Sequence, residues 1–143
     1  MVTTDMIKAL IDSGEEICIK VSGTSMEPFL HDKKDSVFVK KTDSDPRIGD
    51  IYFFQDKFGR FIMHRLQKIT KDGCCFRGDA LDYCEGPIPP DKVFAKVIKI
   101  KHNGKVYHTN SAYFTFHKIV SPLKFTVKSY IYAKLAFCKD ILN

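Results

Sequence analysis

The stretch VFAKVIKIKHNGKVYHT, Val93 to Thr109, decides the fold. Two strand-forming runs flank Asn103-Gly104, and both of those residues tolerate the positive φ that a two-residue hairpin turn demands. The spacing therefore predicts a hairpin. Lys96, Lys99 and Lys101 place charge along the first run, which predicts solvent on one side of the sheet. The neighbouring segments carry the same signature. IYFFQ (Ile51–Gln55) and RFIMHRLQKI (Arg60–Ile69) read as strands joined around Asp56–Gly59. Lys71-Asp72-Gly73 marks a turn into the short strand CCFRG, where adjacent Cys74 and Cys75 should face opposite ways. Upstream, EICIKVS sets Ile17, Ile19 and Val21 on one face, and DSVFVKK follows as another strand. GPIPPDK, Gly86–Lys92, reads as a rigid loop.

Residues 16–109 are thus nearly all strand and turn. Ahead of them TTDMIKALIDSG predicts a short helix. Thr3 or Thr4 caps it, Met6, Ile7, Leu10 and Ile11 form its apolar stripe, and Gly14 ends it. Behind them, residues 111–143 carry Lys118, Lys124, Lys128, Lys134 and Lys139 against Asp140 alone, and Pro122 divides the segment. Leu123, Val127, Tyr130, Ile131 and Leu135 have helix-compatible spacing. The expected class is mainly β: a folded antiparallel sheet or partly open barrel, with a short N-terminal helix and a basic C-terminal helical tail. The expected division is a β domain over residues 1–110 and a tail over 111–143, packed on that domain, on an anionic membrane or on a partner.

The chain has 143 residues, 44% hydrophobic, which suits one packed domain, and a net charge of +6, which favours anionic contacts or serves solubility. The five cysteines are odd in number and lack zinc-pair spacing, so they read as incidental or buried thiols of a reducing compartment. MVTTDMIKALIDSGEE lacks the apolar core of a secretory signal, and no apolar run reaches the roughly 20 residues of a spanning helix. The expected location is cytoplasmic, or peripheral at the inner membrane leaflet.

VSGTSMEP, Val21–Pro28, carries the candidate chemistry. A serine hydroxyl becomes a nucleophile only beside a general base and oxyanion donors. Gly23 permits a turn that exposes Ser25, and Pro28 fixes the exit. His64, mid-strand, is the candidate base. Asp79, Asp82 or Glu85, in FRGDALDYCEG, can orient its ring. His31, His102, His108 and His117 read as incidental, without metal-ligand spacing, and no cofactor is expected.

In order, SGTSMEP, DSVFVKK with RIGDIYFF, FIMHRLQKI, and FRGDALDYCEG with VFAKVIKI resemble the boxes of the type I signal peptidase superfamily, which includes the LexA-type self-cleaving repressors. The resemblance covers roughly Val21 to Ile100. It implies a serine endopeptidase in which Ser25 attacks the scissile carbonyl. Bacterial relatives place lysine where this chain has His64. Histidine there resembles the Ser–His signal peptidases of the endoplasmic reticulum and some spore-formers. By the same resemblance Asp79 completes the triad, with Glu85 or Asp82 as alternatives. The oxyanion donors lie in the Gly23–Thr24–Ser25 backbone, the Ser25 N–H chief among them. Gly23 stands where several relatives carry a helping hydroxyl.

Only 24 residues precede Ser25, too few for a membrane anchor or a helix-turn-helix beside the helix and strand, so cleavage of another chain is expected. The substrate would be a peptide or precursor, bound as an added strand with small side chains beside the cut. A catalytically idle peptide-binding module of the same fold is the rival reading. Nucleic-acid binding is weaker still, because the lysines are scattered and form no reading motif.

Overall fold

A computed structural model describes residues 3–123 together with Val127 and Ile131. The rest of the basic stretch after Pro122, including Lys124, Lys128, Lys134, Cys138 and Lys139, lies outside the described residues. Among the described residues eight antiparallel strands form one sheet: β1 (Ile17–Lys20), β2 (Ser36–Lys40), β3 (Ile51–Gln55), β4 (Phe61–Thr70), β5 (Gly73–Arg77), β6 (Glu85–Ile88), β7 (Val93–His102) and β8 (Lys105–His108). The spatial order is β1-β2-β7-β3-β4-β5-β6, with β8 on β7. Helix α1 (Thr4–Asp12) precedes the sheet, and α2 (Ala112–Val120) follows it.

The Asn103-Gly104 hairpin forms as its sequence requires, with φ of 49° and 76° at the two turn residues. Strand β7 is the organiser. It pairs with β2 over Lys96–Lys101, with β3 over Val93–Lys96 and with β8 over Lys99–His102. Its lysines do not simply face water. The Lys96 ammonium reaches the buried Asp50 carboxylate at 2.7 Å, and Lys99 pairs with Glu16. Their aliphatic stems cover the sheet while the charged heads find acids.

Strand β3 is buried on both faces, as the run Ile51-Tyr52-Phe53-Phe54 suggests. Ile51 and Phe53 join the main core with Val37, Val39, Val97, Ile100, Met26 and Phe29. Tyr52 and Phe54 turn into a second cluster with Leu66, Phe76 and Ile88. On β5, Cys74 is buried and Cys75 is half-buried, in keeping with their opposite directions.

Thr3 caps α1 by accepting from the Met6 N–H. Of the expected stripe only Ile7 and Ile11 pack on the core, whereas Met6 and Leu10 stay exposed because one short helix meets the sheet along a narrow line. GPIPPDK is not all loop: Glu85–Ile88 pairs with β5, and Pro90–Lys92 forms a 3₁₀ turn. A strand containing Pro87 is tolerated because, among the described residues, β6 ends the sheet order, where one row of backbone groups has no partner strand. Helix α2, capped by Ser111, buries Phe114, His117 and Val120. Among the described residues no helix is long and apolar enough to cross a membrane.

Candidate active site

The serine loop is built from both of its ends. The Val21 N–H donates to Asp35 O and the Lys33 N–H to Val21 O, which closes residues 21–35 into a pinned excursion. Gly23 takes φ 89°, the left-handed region the turn needs. After it the chain winds tightly: the Glu27 N–H donates to Thr24 O, and the Leu30 N–H to Met26 O. Met26, Phe29 and Leu30 are buried, so this winding drives apolar anchors into the core and leaves Ser25 half-exposed at the rim.

His64 reaches that rim from β4, where alternation sends it to the face opposite Arg65. Its Nε2 lies 3.0 Å from Ser25 Oγ. The two side chains, 39 residues apart in sequence, meet at hydrogen-bond distance. The His64 ring is 4% exposed and lies 6.2 Å from the Phe54 ring. Burial pushes its pKa down to about 4, and the Asp79 charge only partly opposes this. The imidazole is therefore neutral at physiological pH. With Nε2 facing a hydroxyl it can accept a proton, the state a general base requires.

The three carboxylates separate clearly. Asp79 does not orient the imidazole through a direct bond, as the resemblance implies. It is 2% exposed and accepts from Arg65 Nε at 2.9 Å and from Arg65 Nη2 at 2.8 Å. Arg65, with no exposed surface, also donates to Gly49 O and lies against the Phe29 and Phe114 rings. A bidentate pair this deeply buried engages both carboxylate oxygens. Glu85 is the acid that faces His64, with Oε1 3.8 Å from Nδ1. His64 Nδ1 and Glu85 Oε2 are both buried without a hydrogen-bond partner. Burial and the neighbouring Asp56 raise the Glu85 pKa, with Arg60 opposing. Asp82 lies on the exposed turn between them and makes no ion pair with His64.

A loop from the end of β5 locks the arrangement. The Ala80 N–H donates to Ser25 O at 2.9 Å. A Cβ on Gly78 would meet Ser25 O at 2.5 Å and His64 Nε2 at 3.0 Å, so only glycine lets this loop touch both partners. The buried Arg65–Asp79 pair holds the same loop from behind. Arg65 is the positioning residue that sequence reasoning missed. Its signal was a charged residue on the same alternating face of β4 as the apolar Phe61 and Met63.

The Gly23 N–H donates to Asp32 Oδ1 at 2.8 Å, which withdraws it from the expected oxyanion donors. Ser25 and Thr24 remain. Two histidines read as incidental are not scattered: His31 and His102 both approach Asp35.

A family model described as Peptidase S24-like matches residues 2–98. No curated protein matches the chain.

Proposed function

As the chain belongs to the Peptidase S24-like family, we propose that it is a serine endopeptidase acting on a peptide or precursor protein in trans. The observation that carries this reading is the 3.0 Å approach of His64 Nε2 to Ser25 Oγ. His64 takes the hydroxyl proton as Ser25 attacks the scissile carbonyl. The tetrahedral oxyanion is met by the Ser25 N–H, and His64 returns the proton to the leaving amine. Glu85, rather than Asp79, orients and stabilises the imidazolium once the 3.8 Å gap tightens in the substrate complex. Asp79 and Arg65 position the loop that holds Ser25.

The two ends of the sheet order lead into the site. Strand β1 runs on into the serine loop, and β6 begins at Glu85. A substrate strand added along such an edge would bring its scissile bond to Ser25. A cleft of about 360 Å³ beside Glu85, walled by Asp56, Phe58, Arg60, Tyr83 and Pro87, gives the flanking side chains a place to lie. Thr4–Asp12 and Ile17–Lys20, ahead of Ser25, are held in α1 and β1 and so are not themselves free to lie in the site as a substrate strand. Digestion of a peptide library followed by mass spectrometry tests this. Wild type should generate new termini enriched in small residues, and Ser25→Ala should generate none. Equal products from both, or none from either, would leave a peptide-binding module of the same fold.

A further inference from the structure

We propose that His31, Asp35 and His102 form a binding site for a divalent transition-metal ion of the zinc class, clamping the serine loop to the β7–β8 hairpin. One ligand atom from each residue lies within 4.8 Å of the others. His31 Nδ1 is 3.2 Å from Asp35 Oδ2, and His102 Nδ1 is 2.7 Å from Asp35 Oδ1. The two rings stack at 5.5 Å, inclined by 25°, so both Nδ1 atoms address the same carboxylate. In a tetrahedral zinc site with bonds near 2.0–2.1 Å, ligand atoms sit about 3.3 Å apart. Both His–Asp separations fall short of that figure, the shorter by about 0.6 Å, so the rings would have to turn outward to admit an ion.

The donor set fits borderline cations. Two imidazoles and one carboxylate suit zinc, cobalt or nickel better than magnesium or calcium, which prefer oxygen alone. Asp35 is 1% exposed and supplies the charge from within. Its carboxylate also accepts the His31 N–H at 2.8 Å, which fixes its direction. The side chains of His31 and His102 are 40% and 24% exposed, so an ion and a completing water can enter from solvent. The Asn103 amide lies 3.2 Å from His102 Nε2, where its oxygen, after a half-turn, can accept the ring N–H and fix the metal-binding tautomer. His31 and Asp35 share with Ser25 the pinned excursion of residues 21–35, so an ion that ties them to His102 would stiffen the loop that presents the serine.

The test is cobalt and zinc titration of the untagged full chain, read without reference to proteolysis. Wild type and Ser25→Ala should each bind one equivalent of Co²⁺ with the intense visible absorption of a tetrahedral site, displaced by Zn²⁺. His31→Ala and His102→Ala should weaken binding at least tenfold, whereas His108→Ala should not. His31→Gln and His102→Gln retain a donor to Asp35. They should therefore keep the metal-free melting temperature while losing the zinc-induced rise. Absence of the band in wild type, or equal binding by the His31→Ala/His102→Ala double variant, would overturn the proposal and leave a hydrogen-bonded staple only.

Discussion

As the proposed base, His64 depends on its desolvation. A strand-borne imidazole with an ordinary pKa near 6.5 would be partly protonated at neutral pH, whereas burial holds this one near 4. The base is active when neutral, so kcat/KM should climb as pH rises past about 4 and be flat by pH 6, measured on any cleaved peptide. The same shift bears on stability. Between pH 4 and 6.5 the unfolded chain binds a proton at His64 that the folded chain does not, so stability rises with pH across that window. His64→Gln should remove on the order of 2–3 kcal/mol of that pH-dependent change. Denaturant titrations at pH 4.5 and 7 read it: Asp35 and Asp50, with lowered pKa values, titrate below the window, whereas Glu85, with a raised pKa, opposes the trend within it and is separated by the same titrations on Glu85→Gln. The carboxylates make a second contrast. Glu85→Gln should lower kcat by on the order of a hundredfold or more while leaving the fold intact. Asp79→Asn should chiefly destabilise, by about 3–5 kcal/mol, because it strands the buried Arg65 guanidinium. That Ser25 and His64 should meet was an expectation the sequence offered because each sits in a box with a distinctive neighbourhood, and the 3.0 Å approach is the geometry it calls for. That Asp79 pairs with Arg65 while Glu85 faces His64 was not legible, since it depends on where the Arg65 side chain points, and β4 alone does not reveal that.

Strand β4 and the loop after β5 form the unit on which the site rests. Along β4, alternate residues serve different clients: Phe61 and Met63 pack on the main core, Ile62 and Leu66 face the second cluster, and His64 meets Ser25. Gly78 then brings the next loop within contact of both Ser25 and His64. Gly78→Ala should cost about a hundredfold in kcat/KM with a smaller effect on melting temperature, because displacing reacting groups by about an ångström is enough for that loss. Hairpins with clear turn chemistry, such as Asn103-Gly104, could be read directly from sequence. Strand β6 could not. Its Gly86-Pro87 step reads as loop, and only an edge position beside β5 makes a strand of it. The His31–Asp35–His102 cluster was hidden for a related reason: no local spacing links a turn histidine to one at the end of β7, and the β2–β7 pairing brings them together.

At the scale of the molecule, the sheet, α1 and α2 close on one main core, with the nucleophile loop inserted between them. Phe114 of α2 packs edge-on against Phe29 of that loop at 5.7 Å, and Lys118 pairs with the buried Asp50. Residues 111–120 are therefore part of the folded body, not only a surface tail. A chain ending at residue 110 should melt well below the full chain, since fully burying Phe114 alone is worth roughly 1.5–3 kcal/mol. Composition had shown the basic character of this region but not that its first helix seals the core. The later lysines remain a proposal for binding anionic vesicles, which flotation of a peptide spanning 122–143 would check. The central claim, that His64 activates Ser25 toward a carbonyl-like electrophile, is tested most directly by a fluorophosphonate probe at pH 7 followed by peptide mapping. The account predicts a single adduct on Ser25, absent in Ser25→Ala and slowed at least a hundredfold in a folded His64→Gln. Labelling of wild type no faster than His64→Gln, or an adduct on another residue, would contradict it.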